Sequence, residues 1–405
     1  MDKNYGLDLS SISMELRLLL NLLKVEDEDC LRFFNDEITA SFDWDLFLEL
    51  ARYHRVYPLI YTKIVKIDKK LVPENILKSL YIEYKKNTFK MLQLTSEIEQ
   101  ISRLFNANKI RLLFIKGPVI AADIYGEISL RTSKDLDILI LRDDLRIVEE
   151  LLINFGYQKT ETASTLNGWK WMEHHVSFFH PEKGIEVEIH WRLHPPPMKE
   201  PSFNELWERK RVSLLTTYPV YYFGKEDLFS FLIVHGARHN WFRLRWLVDI
   251  DRMIRSGIIP EKKNNGKIRY QAIILSTQLL NTPINDLFKT KTIPIEKKSI
   301  TQAQLALYYI LEMGKLQINQ TQLDFPKEQG NNLYLKMINM KKLFKINYYK
   351  YTMKSNLHKL IFLIKLLYPR NTDAEIFKLP KFFYFLYIPL RPFLWVWRKT
   401  SKKTL

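Results

Sequence analysis

The sequence holds a single cysteine, Cys30, in 405 residues. An internal disulfide and a cysteine-based zinc site are therefore excluded. A bilayer-spanning run is also missing. The most apolar stretch, FFYFLYIPLRPFLWVW at 382–397, is short for a span and is interrupted by Pro389, Arg391 and Pro392. It is expected to pack on the body, lie at a membrane interface or meet a partner. The N-terminus, MDKNYGLDLSSISMELRLLLNLL, carries acids early and lacks a small-residue cleavage site. It reads as an amphipathic helix and not as a signal peptide, so a cytoplasmic location is expected, with attachment to a membrane periphery as the variant. No internal repeat or low-complexity tract occurs. Acids are scarce near the end of the chain. Residues 331–405 hold 16 Lys and Arg against 2 Asp and Glu, a net +14 of the total +17, which leaves +3 for the rest. Such a segment suits an anionic partner, either a membrane surface or nucleic acid, or else forms a solvated basic face.

What is present is globular: hydrophobic residues make up 46% of the chain. Four regions are read. Residues 1–108 are helical, with Ser10 or Ser11 as caps of a first helix, Asp43 capping WDLFLELARYHRV, and a long periodic stretch after Pro73 that forms one helix or two. Residues 109–224 are mixed α/β. Residues 225–330 are helical, with Asn240 as the cap of a second helix and polar, loop-like residues from 317. Residues 331–405 are a basic, aromatic-rich helical region.

The chemistry gathers in 111–140, RLLFIKGPVIAADIYGEISLRTSKDLDILI. Asp135 and Asp137 alternate with Leu136 and Ile138, so a strand puts both carboxylates on one face. Two such acids need a cation, and hard oxygen ligands suit Mg²⁺, or Mn²⁺. Lys116-Gly117 lies between the first strand and a helix, where backbone N–H groups and an ammonium can meet a phosphate. Two further strands, HVSFFH (175–180) and GIEVEIHWRL (184–193), read as a hairpin. On the second, Glu186, Glu188 and His190 share a face. Glu188 is the natural third carboxylate, with Glu186 as its competitor. His190 is a candidate base, substrate ligand or metal-adjacent hydrogen bonder. Arg131 can neutralise the acids or hold a phosphate through its planar fork. His235 and His239 stand at helical i, i+4 spacing, which is also zinc-ligand spacing. The glutamate of an HExxH motif is absent there, and no cysteine is near.

Together, Lys116-Gly117, Ile124-Tyr125-Gly126, Arg131, Asp135-Leu136-Asp137-Ile138 and the Glu-h-His-Trp of Glu188–Trp191 resemble the bacterial uncharacterised nucleotidyltransferase family, a branch of the polymerase-β-like superfamily. The run from His235 to Asp249 resembles its His-Gly-x-x-His-x-Trp-x-x-Leu-x-Trp-h-h-Asp pattern. The superfamily usually has Gly-Ser where this chain and this branch have Lys-Gly. The resemblance implies an α+β fold: a small mixed sheet with helices, flanked by N-terminal and C-terminal helical regions. It implies a metal-dependent nucleotidyltransferase moving a nucleoside monophosphate from ATP or another NTP to a hydroxyl or phosphate of a small-molecule, peptide or glycan acceptor. Asp135, Asp137 and Glu188 would be catalytic and metal-binding; Lys116, Gly117, Arg131, His190 and His239 would meet substrate. The alternatives are a nucleotide-binding regulatory module without turnover, and an enzyme gripping RNA through its basic C-terminal region. For His235 and Asp249, a packed, hydrogen-bonded core role is the other reading.

Overall fold

The computed structural model describes residues 6–24, 41–160, 173–195, 198–258, 266–283, 297–322 and 377–401, with isolated positions between them. Cys30 and most of the basic region 331–405 lie outside the described residues.

Helices come first: α1 (Met14–Leu23), α2 (Trp44–Tyr53), α3 (Tyr57–Ile67) and α4 (Glu74–Ala107). Asp43 caps α2 as expected, its carboxylate accepting from Leu46 N at 2.8 Å. The cap of α1 is Ser13 and not Ser10 or Ser11. Ser10 instead donates from both its N and Oγ to Asp8 Oδ1, a local turn that competes with capping. After Pro73 the chain makes one helix of 34 residues, about 50 Å long at 1.5 Å per residue. Its buried stripe runs through Ile76, Leu80, Met91, Leu94, Ile98, Ile101 and Phe105. Ile82 and Leu92, off that stripe, face solvent.

The mixed region follows: β1 (Leu112–Phe114), α5 (Pro118–Tyr125), β2 (Asp135–Ile140), α6 (Leu145–Asn154), β3 (Gln158–Lys159), β4 (His175–His180), β5 (Ile185–His190), α7 (Phe203–Glu208), β6 (Arg211–Ser213) and β7 (Val220–Tyr222). The strands form one sheet in the order β3-β4-β5-β2-β1-β7-β6. The central strand β2 runs antiparallel to β1 and parallel to β5, which sets Asp137 opposite Glu188 and Asp135 opposite Glu186. The expected hairpin is present, with His175 opposite His190. β5 stops at His190, short of the expected Leu193.

Then come α8 (Lys225–Arg238), α9 (Leu244–Arg255), α10 (Gly266–Leu280), α11 (Lys297–Gln322) and α12 (Tyr387–Ser401). Asn240 does not cap α9; the position before its first turn is Arg243, which makes no side-chain cap bond. Asn240 and Trp241 both adopt φ 55° in the turn before it, and Trp241 is fully buried against Gly236. A Cβ at position 236 would come within 2.2 Å of the Trp241 ring, so only glycine fits there. Residues 317–322, read as loop, continue α11. Pro389 falls in the first turn of α12, where its missing N–H is harmless, and the helix carries on through Pro392.

α4 ties these parts together. Asn87 Nδ2 donates to Ser129 O (2.7 Å), Gln93 Nε2 to Lys183 O (2.6 Å) and Lys90 Nζ to Gly184 O (2.9 Å). Buried Glu97 accepts from Tyr157 Oη at 2.8 Å and pairs with Lys183. Arg103 lies 4.6 Å over the Tyr218 ring. The loop before β2, the β4–β5 turn and the β6–β7 loop thus all rest on one rod.

Candidate active site

The site starts where β1 ends. Ile115 N donates to Asp137 O at 2.9 Å, keeping the chain beside β2. Gly117 then turns into α5 at φ 92°, with Leu136 only 3.4 Å from where a Cβ would sit. The turn swings Lys116 back over the sheet, where its Nζ donates to Asp137 Oδ1 at 2.9 Å. Asp137 is wholly buried, and its second oxygen, Oδ2, has no hydrogen-bond partner among the described residues. Burial alone would raise its pKa, but the Lys116 ammonium and the His190 hydrogen bond hold it well below the usual carboxylate range.

His190 Nε2 lies 3.1 Å from Asp137 Oδ1 and 3.2 Å from Glu188 Oε2. A ring nitrogen between two carboxylates carries the proton, so it donates to both. Burial works against charge on His190, yet these bonds raise its pKa. Ligand atoms of Asp137, Glu188 and His190 all lie within 4.8 Å of one another. Asp135 opens onto the same cavity, its pKa pushed up to about 6 by burial and by repulsion from Asp137. The β2–β5 register therefore groups Glu188, and not Glu186, with Asp137. His174 and His175, unnoticed in the sequence, complete a three-histidine cluster with His190. Burial keeps both rings neutral near pH 7.

Arg131 is only 2% exposed and forks onto Asp249, Nε to Oδ1 at 2.9 Å and Nη2 to Oδ2 at 3.0 Å. Tyr125 Oη donates to the same carboxylate at 2.7 Å. Three separated motif segments thus meet in one buried network. The fork expected on a phosphate or the acids holds α9 against the loop before β2.

A cavity of about 350 Å³ lies above the acids. Its far wall carries His235, Arg238, His239, Phe242, Arg243, Arg245 and Trp246 from the α8–α9 segment, with Arg55 beyond the end of α2. His239 stacks on Trp246, ring centroids 5.0 Å apart. Arg245 donates to the Thr132 carbonyl and hydroxyl but meets no carboxylate. Among the described residues Arg55, Arg243 and Arg245 form no ion pair. Burial and mutual repulsion push Arg245 down to about 9 and Arg243 down to about 10. Arg243 stood within the motif without a role, and Arg55 and Arg245 went unread. Arg55 reaches the site through a left-handed φ of 56°, for which the sequence offers no signal.

Two comparisons find likenesses. A solved structure, an antigenic nucleotidyltransferase-like protein from Paracoccidioides brasiliensis, aligns at 13% identity over 52% of this chain and 93% of its own, with a TM-score of 0.30. No curated protein matches the chain. The family described as uncharacterised nucleotidyltransferase matches residues 40–266, which include every candidate residue from Arg55 to Asp249. The chain belongs to the uncharacterised nucleotidyltransferase family.

Proposed function

We propose that this chain moves a nucleoside monophosphate from an NTP to a hydroxyl or phosphate on a small-molecule, peptide or glycan acceptor. The observation that carries this reading is the opposition across one cavity: acids on the sheet wall, and facing them buried Arg245 with half-buried Arg55 and Arg243, none in an ion pair among the described residues. Arginines held that way are relieved by a polyanion, and a triphosphate is the matching one. The family implies a divalent ion, Mg²⁺ or Mn²⁺. The residues fit it, because Asp137 Oδ2 is buried beside Glu188 and His190 without a hydrogen-bond partner among the described residues. Asp135, Asp137 and Glu188 would hold the ion, which when bound supplies Lewis-acid stabilisation of phosphoryl oxygens.

The chain's own residues do the rest. Arg55, Arg243 and Arg245 hold the triphosphate. The His239 and Phe242 rings stand edge to face at 75°, and one of them offers its face to the base. Lys116 keeps Asp137 ionised and stands where a phosphate oxygen arrives at the head of α5. The acceptor oxygen attacks the α-phosphorus, the bond to pyrophosphate breaks, and the acceptor proton passes to Glu188. No covalent enzyme nucleophile is needed.

The test is incubation with each α-³²P-labelled NTP, Mg²⁺ or Mn²⁺, and a lysate of the source cells. The expected result is a labelled acceptor that depends on Asp137. Absence of label with all NTPs, together with no calorimetric NTP binding, would overturn the reading.

A further inference from the structure

The C-terminal helix α12 and the short 3₁₀ turn before it (Lys381–Leu386) are built inside out. Their inward positions carry polar anchors. Tyr387 is fully buried, and its Oη donates to Phe377 O at 2.6 Å and accepts from Leu379 N at 3.0 Å. Arg391, one turn on, is buried in an ion pair with fully buried Asp373. Exposed positions carry the apolar groups. Phe382 is 83% exposed, Phe385 62%, Ile388 48% and Phe393 72%. A helix packing on a protein core shows the reverse pattern. Four large apolar side chains in about three turns exceed scattered surface hydrophobes.

Charge decides what meets this face. From residue 376 to the end the chain has seven Lys and Arg and no Asp or Glu. Lys378 and Lys381 lie before the apolar face, and Arg398, Lys399, Lys402 and Lys403 after it. Apolar rings flanked by cations match a lipid surface, with rings below the headgroups and ammonium groups among the phosphates. No helix of the described residues is long and apolar enough to cross a membrane, so the segment lies along the surface. We propose that residues 377–401 form a docking face for anionic lipid membranes. Single-stranded nucleic acid would also attract the cations and stack on the exposed phenyl rings; exposed Ile388, Pro389 and Pro392, which offer bases nothing, favour lipid.

The test is flotation of the full-length chain with vesicles of phosphatidylcholine alone and of phosphatidylcholine with phosphatidylglycerol. Co-flotation is expected with the anionic vesicles, falling as salt rises. The triple variant Phe382→Ser, Phe385→Ser, Phe393→Ser changes only exposed side chains. It should lose about tenfold or more of the binding with an unchanged circular dichroism spectrum. No flotation with either vesicle would overturn the proposal, as would equal binding to neutral vesicles or full binding by the triple variant. So would binding to single-stranded RNA, or self-association on gel filtration, that the triple variant abolishes while vesicles stay unbound. None of these outcomes depends on nucleotide transfer, so the site reading is tested separately.

Discussion

Arg131 and Arg245 are both buried arginines, and their surroundings differ. Arg131 has a carboxylate gripped at two points, and Asp249 more than offsets burial to raise its pKa. Arg245 has only the carbonyl and hydroxyl of Thr132, and burial with its cationic neighbours pulls it down to about 9. A buried charge with its counter-ion belongs to the fold. A buried charge without one costs the fold stability. The same contrast separates the two walls of the cavity. On the sheet wall Asp137 meets Lys116 and His190, and on the facing wall Arg55, Arg243 and Arg245 form no ion pair among the described residues.

Four variants can break or sharpen that contrast. Asp137→Asn should cut label transfer about a thousandfold or more, roughly 4 kcal/mol. The fold should survive, since the swap is nearly isosteric. Transfer at wild-type rate would remove Asp137 from the chemistry. Asp249→Ala should cost about 3–5 kcal/mol of stability in urea unfolding by stranding Arg131. A loss below about 1 kcal/mol would make Arg131 no more structural than Arg245. Arg245→Met should do the opposite: unfolding as stable as wild type or more so, with NTP affinity lowered by about 1–3 kcal/mol in calorimetry. Unchanged affinity would return the triphosphate to Lys116 and the α5 turn.

The smallest effect concerns His54, fully buried beside Arg243, its pKa lowered to about 3 by burial first and Arg243 second. The unfolded chain takes up this proton near its ordinary 6.5, while the native one refuses it until about 3. Stability from this group is therefore present above 6.5 and lost as pH falls through that window. In His54→Gln, the drop in unfolding free energy between about pH 7.5 and about pH 5 should be smaller than in wild type. An equal drop would mean that His54 titrates freely.

Much of the sheet wall was legible because a strand's period of two turns sequence directly into geometry. Alternation put Asp135 with Asp137, and Glu186 and Glu188 with His190; grouping Glu188 with Asp137 took the register of β2 on β5, which one strand's alternation does not carry. The helix wall was opaque for a physical reason. Arg55 depends on a left-handed backbone residue, and Arg243 and Arg245 depend on how a buried tryptophan sets the turn between α8 and α9. His174 and His175 were hidden by the strand rule itself. Consecutive strand residues point to opposite faces, but the bend at His174 brings both rings to one side, centroids 4.5 Å apart. Ser10 and Asn240 were sound cap residues by type, each overruled by its local turn.

The long rod α4 has a mechanical consequence. Because it grips the loop before β2, the β4–β5 turn and the β6–β7 loop at separate points, the sheet wall cannot flex piecewise. Amide hydrogen exchange should show it: the mid-section of α4 from Met91 to Ile101 opens only with global unfolding.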